Sequence, residues 1–139
     1  MQTDNIPNIL YFCFGFKPQT EDFLFGYHVA IWSAYTINRP DVIRFVYHHE
    51  PRGDWWEKTK EIPCLELIKI DIPETLGRHK IHHVAHKADV ARMNFLYDTG
   101  GVYMDIDTIS VRSYRHLLDN DVVLGRELPN GICLSLIHI

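Results

Sequence analysis

The sequence predicts an α/β fold, a Rossmann-like arrangement with a mostly parallel sheet flanked by helices. Three short apolar runs rich in β-branched and aromatic residues, Ile9–Phe14, Val42–Tyr47 and residues 65–70, fit strands that are buried on both faces. Segments with helical spacing separate these runs. Strands that alternate with helices form parallel sheets, in which ligands bind beyond the carboxyl ends of the strands.

Composition limits the classes of function. With 139 residues, of which 46% are hydrophobic and 23% charged, the chain has enough apolar mass for one core. A net charge of −4 provides no basic field for a polyanion, so we expect a small-molecule substrate and no nucleic acid. Three cysteines without metal-ligand spacing argue against a disulfide framework and against a structural zinc site.

Two helices are predicted before the third strand. Apolar residues recur at every fourth position within residues 21–38, and Pro40 ends that helix. Residues 54–61 predict a short second helix with Asp54 as its N-cap. The members of the apolar stripe in the first helix are Phe23, Tyr27, Ile31 and Tyr35; Trp32 lies beside them and is assigned to packing.

The third helix leads directly to a candidate site. Residues 82–98 have helical spacing, and Gly100 and Gly101 end the helix. The strand Val102–Met104 follows and ends at Asp105. Ligand-binding residues are expected at that position, beyond the carboxyl end of a parallel strand.

Asp105 and Asp107 form a D-x-D motif. In a chain with 11 aspartates among 139 residues, about one such triplet is expected by chance, and residues 119–121, which have turn composition, form that chance match. Asp105 instead follows a strand, and a carboxylate pair at a strand end is held on a rigid base where it can bind a divalent cation. We therefore interpret Asp105 and Asp107 as a candidate metal site.

Asp89 and Arg92 are the second half of this site. They are three positions apart and share one helical face, and the diglycine turn can bring that face to Asp105. The alternative is a surface ion pair, which contributes about 0 to 1 kcal/mol.

Together these residues resemble a known family. Asp89, Arg92 and residues 100–107 (GGVYMDID) are similar to the signature of nucleotide-sugar-dependent glycosyltransferases with a DXD sugar-binding region. That group includes mannosyltransferases, α-1,4-galactosyl- and N-acetylglucosaminyltransferases, capsular-polysaccharide transferases and clostridial glucosylating toxins. Residues 6–15 (IPNILYFCFG) resemble the first strand of the family and the loop that holds the donor base.

The resemblance implies a function and roles for individual residues. It implies metal-dependent transfer of a hexosyl or N-acetylhexosaminyl group from a nucleoside-diphosphate sugar to an acceptor hydroxyl on a glycan, with retention of configuration. Mn²⁺ or Mg²⁺ is the implied cofactor, with Asp107 as its direct ligand. Asp105 is implied to contact ribose and sugar hydroxyls and metal-bound water, and Asp89 and Arg92 to bind the donor sugar. Phe14 replaces the usual tryptophan of the first strand and either stacks on the base or packs in the core.

The two ends of the chain carry separate expectations. Residues 134–139 (LSLIHI) match the translation of a transposase recognition end used in sequencing libraries, so we interpret them as a non-native tail; a genuine final strand is the alternative. Residues 1–133 are then the N-terminal part of a catalytic domain, with no counterpart of the family's later segment. No apolar run is long enough for a membrane span. The localisation is cytoplasmic if the N-terminus is native, and the Golgi lumen if an anchor precedes it.

Two other classes of function remain open. One is a nucleotide-sugar-binding remnant without turnover. The other is a zinc hydrolase in which His82, His86 and Asp89 share one helical face and His48 or His49 completes the site. Ordinary surface histidines are the alternative, since no H-E-x-x-H motif is present. In the same way, Trp55 and Trp56 form either a stacking platform or a core anchor.

Overall fold

The protein is built around a central β-sheet. The structure is a computed structural model, which describes residues 6–127 and 131–138 and the side chains of residues 6–125. Within these residues the sheet has six strands in the order β3-β2-β1-β6-β8-β7, and β4 and β5 form a separate hairpin. The strands are β1 (Ile9–Phe14), β2 (Val42–Tyr47), β3 (Leu65–Lys69), β4 (Thr75–Leu76), β5 (His79–Lys80), β6 (Val102–Met104), β7 (Val123–Glu127) and β8 (Gly131–His138).

The first four strands of the sheet are parallel, and β8 and β7 add to it in the antiparallel sense. The predicted α/β class with a mostly parallel sheet is therefore confirmed. Residues 134–138 belong to β8, which pairs with β6. The pairing does not test whether residues 134–139 derive from adapter DNA, so that origin stays a prediction. Residue 139 lies outside the described part of the chain.

Helices cover both faces of the sheet. Alternate residues of β1 point to opposite faces, so Leu10 and Phe12 join one core cluster and Tyr11 the other. The first cluster contains residues of α1 (Phe25–Asn38) and α2 (Asp54–Lys60), and the second contains Leu96 of α3 (Val84–Thr99). No helix in the described residues has both the length and the apolar character needed to cross a membrane.

Two predicted helix starts and one predicted N-cap are wrong. The first helix begins at Phe25, four residues late, because the Phe23 amide donates to the Arg52 carbonyl outside any helix. In the second helix Gly53 is the N-cap, not Asp54, which is the first helical residue. The third helix begins at Val84. His82 therefore precedes it and does not share a helical face with His86 and Asp89.

The diglycine turn determines how α3 meets β6. Gly100 caps α3 with φ 67° and donates its amide to Leu96. At Gly101, with φ 122°, a Cβ atom would lie 2.6 Å from the carbonyl oxygen of Ile9. Only glycine allows β6 to approach β1 this closely at this conformation. The register then pairs Tyr103 with Tyr11 and leaves Asp105 at the carboxyl edge.

A buried asparagine anchors the chain that follows β6. Asn38, at the end of α1, is fully buried; its amide donates to Ser110 Oγ at 3.0 Å, and its carbonyl accepts the Tyr114 amide at 3.1 Å. The segment after the D-x-D motif is thus attached to the helix layer, in keeping with the rule that buried polar groups are hydrogen-bonded.

Candidate functional site

The D-x-D motif forms a tight turn at the end of β6. The carbonyl oxygen of Asp105 accepts hydrogen bonds from the amide of Thr108 at 3.2 Å and from its hydroxyl at 2.6 Å. Because β6 lies beside β1 in the middle of the sheet, this turn stands at the edge where ligands of parallel sheets bind.

Arg92 joins the helix to this turn. Its guanidinium pairs with the Asp89 carboxylate and lies 3.5 Å from Oδ1 of Asp105. The Arg92 side chain is only 11% exposed, so this is not the solvated surface pair that the sequence left open. The structure therefore brings together Asp89, Arg92 and Asp105, from two different elements.

Tyr103 is a member of this cluster that the sequence interpretation missed as a site residue. It is 4% exposed, its hydroxyl donates to Oδ1 of Asp105 at 2.8 Å, and its ring centre lies 4.7 Å from the Arg92 guanidinium carbon. Burial raises the pKa of Tyr103, so the phenol stays protonated and remains a donor. The available clue was strand periodicity, because residues two apart on a strand point to the same face.

Asp107 is arranged differently from Asp105. Its side chain is exposed, and it has no hydrogen bond or ion pair to the described residues. A carboxylate in that state keeps its oxygen lone pairs for an external ligand. Hard divalent cations prefer oxygen ligands. The donor set fits such a cation, although no three His, Cys, Asp or Glu side chains cluster as ligands within residues 6–125.

A cleft of about 220 Å³ lies between the end of β1 and the start of α3, and its lining residue Cys13 is close enough to Arg92 and Asp105 to feel their charges. Gly15 has φ 73°, and a Cβ atom there would lie 2.2 Å from the His49 carbonyl oxygen, so this loop requires glycine. The lining residues are Cys13, Phe14, Gly15, Phe16, Lys17, Gln19, Val84 and Ala88.

Cys13 and Phe14 connect this cleft with the core. Burial raises the pKa of the Cys13 thiol to about 12, a rise that Arg92 opposes and Asp105 reinforces, so the thiol is neutral. Phe14 contributes to the cleft wall and also packs edge-on against Phe23 at 5.4 Å. Its predicted role as a base-stacking residue stays a prediction.

The alternative residues lie elsewhere. His82 and His86 are exposed, and His48 donates through Nδ1 to the Ile70 carbonyl at 2.8 Å. Trp56 is a buried core anchor whose indole N–H donates to Glu50 at 3.2 Å, whereas Trp55 is only half-buried.

Comparison with known proteins adds three findings. Residues 12–124 match the family described as the glycosyltransferase sugar-binding region containing a DXD motif. Glucan organizing enzyme 1 of Cryptococcus neoformans var. grubii is 32% identical over 147 aligned positions, which cover 95% of this chain and 40% of that protein. The structure of PaToxG glycosyltransferase matches with a TM-score of 0.60 at 15% identity, covering 96% of this chain and 55% of that chain, a likeness of fold.

Proposed function

Because the chain belongs to the glycosyltransferase family whose sugar-binding region contains a DXD motif, we propose that it takes part in metal-dependent transfer of a hexosyl or N-acetylhexosaminyl group. The donor is a nucleoside-diphosphate sugar, and the acceptor is a hydroxyl group of a glycan, with retention of configuration. The observation that carries the proposal is the convergence of Arg92, Asp89 and Asp105 at the carboxyl edge of the sheet, beside an exposed Asp107.

Asp107, with Asp105 beside it, would hold Mn²⁺ or Mg²⁺. Such a cation prefers six oxygen ligands, so a donor diphosphate and waters would complete the set that these carboxylates begin. When bound, the cation neutralises the negative charge that develops on the leaving diphosphate. The exposed and unpaired state of the Asp107 carboxylate among the described residues supports this role.

Asp105, Asp89 and Arg92 would bind the sugar and ribose. A carboxylate accepts hydrogen bonds from neighbouring hydroxyls, and a guanidinium can contact a sugar oxygen and a phosphate together. Tyr103 and Arg92 hold Asp105 through two donors, which limits the rotation of its carboxylate before substrate arrives. The 220 Å³ cleft beside Cys13 and Phe14 would take the nucleoside.

The acceptor is proposed from the relative. Glucan organizing enzyme 1 is associated by its name with glucan, and we propose a glucan chain as the first acceptor to be tested. Since this chain spans 40% of the length of that relative, acceptor recognition in the whole protein can involve residues beyond those described above.

The proposal is tested by titrating the protein with UDP-glucose, UDP-N-acetylglucosamine and GDP-mannose, with and without Mn²⁺, in a calorimeter. We expect Mn²⁺ to strengthen the binding of one donor about tenfold or more, equivalent to about 1.4 kcal/mol. Asp107→Ala should remove this gain. Asp119→Ala, in the other D-x-D triplet, is the matched control and should keep it.

Two results would contradict the proposal. One is donor binding that does not respond to Mn²⁺ in the wild-type chain. The other is an equal loss of the Mn²⁺ effect in Asp119→Ala, which would separate that effect from the turn after β6. Release of UDP or GDP in the presence of acceptor then distinguishes a transferase from a protein that only binds the donor.

A further inference from the structure

A second concave surface lies between α1 and α2, in the helix layer on the opposite face of the sheet from α3. This surface, the α1–α2 groove, has a volume of about 540 Å³. Its lining residues are His28, Trp32 and Tyr35 of α1, Lys58 of α2, and Glu61 and Pro63 just after α2. None of these residues belongs to the site at Asp105.

Aromatic rings form a row along this groove. Trp32 is 48% exposed and lies between His28, with ring centres 6.2 Å apart and nearly parallel planes, and Tyr35, at 5.8 Å. Phe25 and Trp55, with centres 4.6 Å apart, continue the row beyond His28. Residues three and four apart share one side of a helix. Trp32 was expected to pack internally, and that expectation is wrong because its helix faces solvent on this side.

His28 contributes a hydrogen-bond acceptor to the groove. The hydroxyl of Thr59 donates its proton to the Trp55 carbonyl at 2.7 Å, so it accepts from Nδ1 of His28 at 2.9 Å. This bond places the proton of a neutral ring on Nδ1 and leaves Nε2 as an acceptor. Partial burial, together with the charge of Lys58, lowers the pKa of His28 and favours that neutral form.

Two opposite charges border the same rings. The ammonium of Lys58 lies 4.7 Å from the centre of the Trp55 ring, and Glu61, the residue that caps the end of α2, is an exposed lining residue of the groove. Neither has an ion-pair partner among the described residues. The groove therefore combines aromatic faces with an acceptor, a strong donor and a carboxylate.

We propose that the α1–α2 groove is a second carbohydrate site, which binds the hexopyranose units of a neutral glycan chain. One face of a hexopyranose carries C–H groups that pack on an aromatic ring, while its equatorial hydroxyls donate and accept hydrogen bonds at the rim. An apolar polypeptide surface is the poorer occupant, since it would desolvate Lys58 and Glu61 without pairing them. Sugar hydroxyls replace the water around both charges.

The site is independent of transfer chemistry, because it lies on the other face of the sheet. It would hold a length of glycan on the protein whether or not that glycan is also the acceptor at Asp105.

The test is calorimetric titration of the chain with glucose hexasaccharides of α-1,4, β-1,4 and β-1,3 linkage. We expect saturable binding of at least one of them. Trp32→Ala should weaken that binding about tenfold or more, while Tyr97→Ala, at an 82% exposed aromatic residue of α3, should not change it. Glu61→Ala should also weaken binding, and Glu61→Gln should restore part of it, since an amide can still bind hydroxyl groups.

The titrations are made without Mn²⁺ and without nucleotide sugar, so that hexasaccharide binding is measured independently of the donor site. The proposal is overturned if none of the hexasaccharides binds, or if Trp32→Ala and Tyr97→Ala have equal effects. It is also overturned if the wild-type chain dimerises through this groove, shown by a dimer in analytical ultracentrifugation that Trp32→Ala abolishes.

Discussion

Replacing Tyr103 with phenylalanine tests how the carboxylate of Asp105 is held. The variant loses only the hydroxyl group that donates to Asp105 at 2.8 Å, and it keeps the ring beneath the Arg92 guanidinium. Hydrogen bonds to charged groups contribute about 1.5 to 3 kcal/mol. Because the Asp105 side chain is 41% exposed, water can replace the lost donor, and we expect a loss near the lower end of that range.

A loss of about 1.5 kcal/mol should lower the melting temperature of a chain of this size by roughly 3 to 6 °C. Binding should weaken as well, since a carboxylate held by Arg92 alone must be ordered further by the substrate. Ordering one side chain costs about 0.5 to 1.5 kcal/mol, which corresponds to a roughly 2- to 12-fold higher Kd for the donor.

Urea unfolding measures the free energy of unfolding, and calorimetry with Mn²⁺ and the bound donor measures the Kd. Tyr97→Phe is the control, because that tyrosine is 82% exposed and its hydroxyl should contribute nothing measurable. An unfolding free energy equal to wild type, together with an unchanged Kd, would refute the inference that Tyr103 positions Asp105.

Three further predictions concern the fold around the site. Gly101→Ala should lower the free energy of unfolding by more than about 2 kcal/mol, because its Cβ would lie 2.6 Å from the Ile9 carbonyl oxygen and φ is 122°. Gly26→Ala is the control: it lies in α1 with no atom within 4 Å of the added Cβ, and it should raise the free energy of unfolding by about 0.5 to 1 kcal/mol. Urea titration compares the two variants. Asn38→Leu should cost about 1 to 3 kcal/mol in the same assay, since it leaves the buried Tyr114 amide without its acceptor. Finally, burial raises the pKa of Cys13 from 9.0 to about 12, so the unfolded chain loses this proton at a lower pH than the folded chain does. The stability that is present below pH 9.0 should therefore fall as the pH rises towards 12. Thermal melting at a series of pH values measures this, and a flat profile would contradict it.

The candidate site could be predicted in part from the sequence. The D-x-D motif at a strand end and the spacing of Asp89 and Arg92 are local patterns, and a diglycine turn between them indicated that they could meet. Tyr103 and Cys13 were missed as members of the site because their contacts are with residues of other helices and strands. Tyr103 contacts Arg92 of α3, and Cys13 lies on β1, the strand beside β6.

Helix starts show the same limit. The apolar repeat that includes Phe23 reads as helix, but the Phe23 amide is taken by the Arg52 carbonyl, a contact 29 positions away along the chain. The exposure of Trp32 also depends on what packs beside α1, and the periodicity of a single helix does not describe its neighbours.

The sequence alone determined the α/β class, three of the strands to the residue (Ile9–Phe14, Val42–Tyr47 and Val102–Met104) and the family, because these depend on residues close together along the chain. Only the tertiary structure decided which polar groups meet and which rings stay exposed. Both depend on the packing of separate elements, since burial and hydrogen-bond distance are properties of the folded arrangement and are absent from any single segment.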